Sequence, residues 1–200
     1  MGARIAVRAK LVLLVLLLMG PGRVVAAPGV GHTPHGIRTS DVAHVLPDSI
    51  RLRMLAALVR GDIESAIAMY QLHTGIQEVP KWLQAFQAAF SAANRVAGPC
   101  ERVAEDVFEG FHKLGANPSY IRFTTLGEGP AANLIGFELR AGEPSSTVMI
   151  TTQRFHYAVQ VKDRIYDAFT GSGGLEWAEY VRRLAVHSPV KLTWEKVGHL

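Results

Sequence analysis

Hydrophobic positions change their spacing in the middle of the chain. In the first half they recur every three or four residues, which is the period of amphipathic helices. This spacing predicts three helices over residues 48–96 and a fourth that starts at Pro99 and Cys100. Asp62 suits the N-cap of the second helix, and Gly75 suits its end.

Beyond the fourth helix the hydrophobic period becomes two, which is typical of strands with one buried face. Helices that precede a group of antiparallel strands predict an α+β fold, with a helical first half and an antiparallel sheet after it. The predicted strands are Tyr120–Thr124, Asn133–Leu139, Ser146–Thr151, Phe155–Val161, Arg164–Phe169 and a last one near Val190–Lys196, with a short helix at Leu175–Leu184.

Residues 1–26 have the pattern of a secretory signal peptide. A basic start precedes the nine apolar residues 11–19, and small residues follow a Gly-Pro break. Cleavage before Ala27 is expected, so the protein is predicted to be secreted or periplasmic. The alternative is an uncleaved anchor over Ile5–Met19, although a spanning helix needs roughly 20 apolar residues. Cleavage would leave no stable membrane anchor.

The charge balance depends on this leader. The chain has 21 Lys and Arg residues against 17 Asp and Glu residues, for a formal charge of +4. Four of the basic residues and none of the acids lie in the leader, so the remainder has 17 of each sign. A neutral mature protein lacks the clustered surplus of cations that nucleic-acid binding requires. We therefore expect no nucleic-acid partner.

Cys100 is the only cysteine, so the chain cannot form an internal disulfide. An exported protein with one cysteine buries it, pairs it between chains or uses it as a nucleophile. At the start of a helix, unpaired amide groups and the helix dipole favour a thiolate over a thiol. The position of Cys100 is therefore one where a reactive cysteine is expected.

A predicted hairpin brings a histidine close to an acid. With Lys162-Asp163 as a two-residue turn, Val161 lies opposite Arg164. His156 and Asp167 then share one face of the sheet as diagonal neighbours. A register shift of one residue would place Asp167 on the other face.

These residue types match the three roles of thiol catalysis. Cys100 would attack a carbonyl, His156 would take and return the proton, and Asp167 would orient the imidazole. The backbone N–H of Cys100 and, as a weaker candidate, the side chain of Asn94 would stabilise the oxyanion. Asn94 is otherwise a polar residue that ends the preceding helix. No organic cofactor is needed, and a metal site is not predicted.

Four short segments carry a resemblance to a known family. Cys100-Glu-Arg-Val-Ala, His156-Tyr-Ala-Val-Gln-Val, Ile165-Tyr-Asp167 and Gly174-Leu-Glu-Trp177, the last followed by Tyr180 and Leu184, resemble the papain-fold toxin domains of bacterial polymorphic toxin systems, in particular papain fold toxin 2. The resemblance covers residues 95–190 and implies a papain-like cysteine-protease fold with a Cys-His-Asp triad. It also implies a protein substrate, cleavage or deamidation of amide bonds, and a cognate immunity protein as partner.

Several alternatives remain open at the level of sequence. Arylamine acetyltransferase-like and transglutaminase-like enzymes share the same residue order, so acyl transfer is not separated from hydrolysis. A secreted interaction module with a structural cysteine is the non-enzymatic alternative. The predicted organisation is a flexible Gly- and Pro-rich linker over 27–47, a helical region over 48–96 and a Cys-His-Asp domain over 97–200.

Overall fold

The computed structural model describes residues 46–200. The predicted leader and nearly all of the predicted linker lie outside these residues. Between residues 46 and 200 the chain forms five helices, α1 Asp48–Val59, α2 Ile63–Thr74, α3 Lys81–Ala89, α4 Cys100–Lys113 and α5 Trp177–Arg183. The strands are β1 Ser119–Leu126, β2 Ile135–Glu138, β3 Thr147–Thr151, β4 Phe155–Val161, β5 Arg164–Tyr166, β6 Leu175–Glu176, β7 Leu184–Ala185 and β8 Lys191–Val197.

The predicted α+β class is confirmed, with the helices preceding the strands. The strands form two antiparallel sheets rather than one, in the orders β6-β5-β4-β1-β8 and β3-β2-β7. Along β4 and β5, neighbouring residues point to opposite faces, so Val159 and Tyr166 pack with the helices while Ala158 and Ile165 pack with the second sheet. The large sheet is therefore covered on both faces.

The ends of several elements differ from the sequence prediction, and the third helix differs most. Helix α3 stops at Ala89 instead of continuing to Val96, and a 3₁₀ turn follows at Ala92–Asn94. The Asn94 side chain donates to the carbonyl oxygen of Ala88 at 2.8 Å, which satisfies a carbonyl at the end of the helix. Strand β5 ends at Tyr166 rather than Phe169, and the short helix begins at Trp177 because Leu175–Glu176 pair with β5 as β6.

The helices of residues 48–96 share a hydrophobic core with the large sheet. The shared cluster includes Met54, Leu58, Leu83 and Phe86 together with Val159 of β4. Helix α2 begins and ends as predicted, since the Asp62 carboxylate accepts the backbone N–H of Ser65 and Gly75 adopts a left-handed conformation after the last residue of the helix. The helical region is thus part of the packing that supports the sheet.

The α1–α2 turn anchors the loop that follows β5. The Tyr166 hydroxyl donates to the carbonyl oxygen of Val59 at 3.2 Å, and the Ser172 hydroxyl donates to that of Gly61 at 3.0 Å. Gly61 has φ +78°, and a Cβ there would lie 2.7 Å from the backbone nitrogen of Gly173. Only glycine allows this close approach.

None of the helices within residues 46–200 is long and apolar enough to cross a membrane.

We predict that Gly110→Ala destabilises the protein by about 1–2 kcal/mol. A Cβ at Gly110 of α4 would lie 2.9 Å from Cγ of Phe86, whose ring is completely buried between Phe90 and Phe111 and cannot move aside. At an exposed helical position the same change is stabilising by about 1 kcal/mol, because alanine favours the helix. Urea unfolding of the variant checks the sign, and a gain in stability would contradict the tight α3–α4 contact.

Candidate active site

Cys100 lies at the first position of α4, as the sequence predicts. Val103, Val107 and Phe111 follow it at spacings of three, seven and eleven residues and are all buried, so they fix the face of the helix that packs on the core. Cys100 lies on the same face and is 9% exposed. Pro99 precedes it, and its carbonyl oxygen accepts the N–H of Val103. The sulfur therefore sits beside the free amide groups of a helix start.

His156 and Asp167 form the hydrogen bond that the hairpin register predicts. Val161 pairs with Arg164, and Val159 pairs with Tyr166. Asp167 follows Tyr166 and therefore comes opposite Ala158. His156 precedes Ala158 by two residues, so it lies on the same face of the sheet as Asp167. Nε2 of His156 is 3.0 Å from Oδ2 of Asp167. The two side chains are 2% and 1% exposed. Such deep burial of two ionisable groups requires that they compensate each other.

The carboxylate of Asp167 has a full set of donors. Oδ1 accepts the backbone N–H groups of Phe169 at 2.8 Å and Thr170 at 2.9 Å. Oδ2 accepts the Tyr180 hydroxyl at 2.6 Å in addition to the imidazole of His156. These two hydrogen bonds fold the backbone into a turn directly after Tyr166. The chain therefore stops pairing with β4 there, which explains why β5 is shorter than predicted.

Cys100, His156 and Asp167 line one small pocket. Its volume of about 10 Å³ is what a single water molecule needs. Nδ1 of His156 is buried and makes no hydrogen bond of standard geometry within the described part of the chain. Since Nε2 is hydrogen-bonded to Asp167, Nδ1 is the nitrogen that remains to exchange a proton with the Cys100 thiol. The other residues that line the pocket are Asn94, Val96, Val103, Ile150, Ala168 and Phe169.

The electrostatics of the three groups are coupled. Burial raises the pKa of the Cys100 thiol, but the neighbouring His156 and the backbone N–H of Tyr157 together lower it by more. The net pKa therefore lies below its usual value. Burial lowers the pKa of His156, yet Asp167 and Cys100 raise it to about 9. Burial also raises the pKa of Asp167, and the donors His156 and Tyr180 outweigh this and lower it. At neutral pH His156 is therefore an imidazolium beside the ionised carboxylate of Asp167, and its charge favours the thiolate form of Cys100.

Asn94 lies in the same pocket, but its amide is already engaged. Nδ2 donates to the carbonyl oxygen of Ala88 at 2.8 Å, and Oδ1 accepts Arg102 at 2.7 Å. One hydrogen of Nδ2 is left over from these contacts. The role of Asn94 as an oxyanion donor stays a prediction.

Sequence reasoning assigned no role to Tyr180, Phe169 and Thr170, which complete the shell of Asp167. Tyr180 belongs to the segment that carries the family resemblance, but it lies 13 residues from Asp167 on a separate helix. No periodicity links the two positions. The sequence Asp167-Ala-Phe-Thr170 does fit an Asx turn, and that signal could have predicted the end of β5.

Within residues 46–200 no three His, Cys, Asp or Glu side chains come together in a way that could hold a metal ion.

Comparison with known proteins identifies no relative: no family model, no curated protein and no solved structure matches the chain. The resemblance to papain-fold toxin domains therefore stays a prediction, and function has to be argued from the geometry of Cys100, His156 and Asp167.

Proposed function

We propose that the protein is an exported cysteine-dependent hydrolase with a papain-like fold that acts on protein amide bonds. The observation that carries the proposal is the buried hydrogen bond between His156 and Asp167 in the pocket that also contains Cys100. A structural cysteine needs only an apolar cavity. Burying an imidazole and a carboxylate beside it costs free energy even though the two are paired, and a merely structural cysteine would not require them.

The charge distribution supports nucleophilic rather than structural use of the sulfur. His156 has a pKa of about 9 and carries a proton at neutral pH, and the pKa of Cys100 is lowered mainly by this neighbour. The start of α4 adds its dipole in the same direction. A thiolate and an imidazolium side by side are the reactive form of a cysteine hydrolase.

Acylation would proceed by attack of the Cys100 thiolate on the carbonyl carbon of the amide. The carbonyl oxygen becomes an oxyanion, and the backbone N–H of Cys100 with the remaining hydrogen of Asn94 Nδ2 would stabilise it. His156 then donates its Nδ1 proton to the leaving nitrogen as the C–N bond breaks. The products are a thioester on Cys100 and a free amine, or ammonia if the amide belongs to a glutamine side chain.

Deacylation would use His156 in the opposite sense. The imidazole takes a proton from water, the resulting hydroxide attacks the thioester carbonyl, and the C–S bond breaks to regenerate the thiolate and release a carboxylic acid, which loses its proton to solvent. Asp167 keeps the imidazole in place throughout and does not itself take the proton. The same residues would support acyl transfer if an amine replaced the water.

The pocket, at about 10 Å³, is too small for a peptide, so we infer that substrate binding requires movement of a neighbouring segment. Residues 91–99 join α3 to α4 and contribute Asn94 and Val96 to the pocket. Val96 is 53% exposed and also lines the pocket, so this segment borders both the pocket and solvent. Arg95 connects it to the opposite side by donating to the carbonyl oxygen of Ala168 at 3.2 Å.

Export, a role as toxin or effector, and a cognate immunity protein complete the proposal. Export rests on the leader pattern over residues 1–26, and the neutral charge of the rest supports a protein rather than a nucleic-acid substrate. The immunity partner and the toxin role rest on the family resemblance alone.

Titration of the single cysteine tests the activated nucleophile. We expect the ultraviolet absorbance of the Cys100 thiolate, taken as wild type minus Cys100→Ala, to appear below the ordinary thiol pKa of about 8.5. Because absorbance does not require access to the sulfur, the small pocket does not affect it. The unfolded protein provides the ordinary thiol for comparison. A native titration equal to the unfolded one, or higher, would contradict the proposal.

Turnover is tested on an unfolded carrier protein such as casein, with the wild type and Cys100→Ala compared. New amino termini would identify a peptidase, and released ammonia would identify a deamidase. Growth of bacteria that express each variant in the cytoplasm or periplasm tests the toxin role. Toxicity that Cys100→Ala retains would contradict catalysis and favour the interaction module with a structural cysteine.

A further inference from the structure

Tyr180 is placed to act on the same oxygen that holds His156. It lies on α5, is completely buried, and its hydroxyl donates to Oδ2 of Asp167 at 2.6 Å. The imidazole of His156 approaches that oxygen at 3.0 Å. The other oxygen, Oδ1, is held by two backbone N–H groups. One carboxylate oxygen therefore fixes the turn, and the other is shared between Tyr180 and His156.

Packing alone accounts for the ring of Tyr180 but not for its hydroxyl. The ring contacts those of Phe123 and Phe137 at centroid distances of 5.4 and 5.5 Å, and phenylalanine would fill the same space. A buried hydroxyl is unfavourable unless it is hydrogen-bonded, and its partner here is a buried carboxylate. The position of the hydroxyl thus requires a role that involves Asp167.

We propose that Tyr180 is a positioning residue that orients the Asp167 carboxylate and limits the negative charge that Oδ2 presents to His156. The inference rests on the proposed function, because it explains how strongly the imidazole holds the proton that it must give to the leaving group. A hydroxyl that donates to Oδ2 withdraws charge from it. Its loss would leave the imidazolium as the only donor to that oxygen and would strengthen the pair.

Tyr180 keeps its proton under all working conditions, because burial raises its pKa well above the usual value. The titratable groups that face His156 are Asp167 after β5 and Cys100 on α4, and both raise its pKa. Tyr180 does not act on the imidazole directly, and Glu101 affects Cys100 rather than His156. A change in the His156 titration after removal of the Tyr180 hydroxyl would therefore be transmitted through Asp167.

The test compares Tyr180→Phe with the matched variant Tyr166→Phe. Both remove a buried tyrosine hydroxyl, but that of Tyr166 donates to the Val59 carbonyl oxygen and lies outside the pocket. The His156 imidazole is titrated by NMR in the full chain, its resonance being the one that a His156→Gln variant lacks. We expect Tyr180→Phe to raise the midpoint by about one pH unit and Tyr166→Phe to leave it unchanged.

Thermal unfolding of both variants distinguishes positioning from packing. Equal losses of stability with an unshifted His156 midpoint in Tyr180→Phe would overturn the inference. In the wild type, a slowly exchanging Tyr180 hydroxyl proton close to a His156 ring proton gives a check that needs no substitution, and its absence would count against the shared oxygen.

The inference and the proposed function can fail separately. If casein turnover depends on Cys100 while Tyr180→Phe changes neither the midpoint nor the pH profile of turnover, only the inference is wrong. If the midpoint shifts but neither casein products nor a lowered thiolate titration are found, the hydrolase proposal fails and the Tyr180–Asp167–His156 coupling is established on its own.

Discussion

Replacement of Asp167 by asparagine is expected to lower the reactivity of Cys100 at neutral pH about a hundredfold. The amide has the shape of the carboxylate but no charge. Burial alone lowers the pKa of His156, and Asp167 is the main group that raises it to about 9. Without that charge the imidazole is neutral at pH 7. The chief influence that lowers the pKa of Cys100 is then lost, and burial raises it.

The rate constant of alkylation by iodoacetamide, measured across the titration of the thiol, tests this expectation. Asp163→Asn is the matched control, because Asp163 belongs to the same hairpin but lies in its exposed turn. We expect Asp163→Asn to have the wild-type profile and Asp167→Asn to require a pH about two units higher for the same rate. Equal profiles for Asp167→Asn and the wild type would show that His156 does not activate the sulfur.

The local parts of this site are predictable from the sequence. Pro99 and the periodicity after it locate the start of α4 and hence Cys100, and the Lys162-Asp163 turn fixes the register that brings His156 and Asp167 together. Both inferences depend on spacing within about 15 residues, where helix and hairpin geometry leave few alternatives. The approach of Cys100 to His156 required the resemblance as well, because 56 residues of helix, strand and loop separate them.

The parts that the sequence did not predict depend on contacts between distant elements. Tyr180 reaches Asp167 only because α5 packs against Phe123 of the large sheet and Phe137 of the second sheet. Helix α3 ends early because Asn94 bonds back to it, and a polar residue after a helix does not by itself reveal such a contact. A single-sequence pattern records which residues are buried and not which buried surfaces meet.

The change in hydrophobic period after the helices does not mark a boundary in the packing of the protein. The sequence separates a helical region at 48–96 from the strands, yet Tyr166 and Ser172 donate to carbonyl oxygens of the α1–α2 turn. Tyr166 lies in the strand before Asp167, and Ser172 lies in the loop after it. The helices therefore pack against both of these segments, while the Asp167 carboxylate itself is held by contacts within the second half of the chain.

Phe86→Ala is expected to lower the free energy of unfolding by about 3–5 kcal/mol. Phe86 is completely buried on α3 and makes edge contacts with Phe90 at 5.2 Å and Phe111 at 5.1 Å between ring centroids. Its ring also fills the space that Gly110 leaves open on α4. Removing it creates a cavity between the two helices. Urea unfolding measures the loss, and Leu72→Ala, at a position 79% exposed, is the control expected to change stability by less than about 0.5 kcal/mol.

The double variant Phe86→Ala/Gly110→Ala separates the cavity from a general loss of helix packing. With the ring removed, the new Cβ at Gly110 no longer meets Cγ of Phe86, and only the Cβ of residue 86, at 3.1 Å, still has to shift slightly into the cavity. Gly110→Ala should thus destabilise the wild type clearly more than it destabilises the Phe86→Ala variant, a coupling that direct contact produces. Additive effects of the two substitutions would contradict the α3–α4 contact. Because α4 carries Cys100 at its first residue and packs on both α3 and β4, the same contact helps to position the helix that carries the candidate nucleophile.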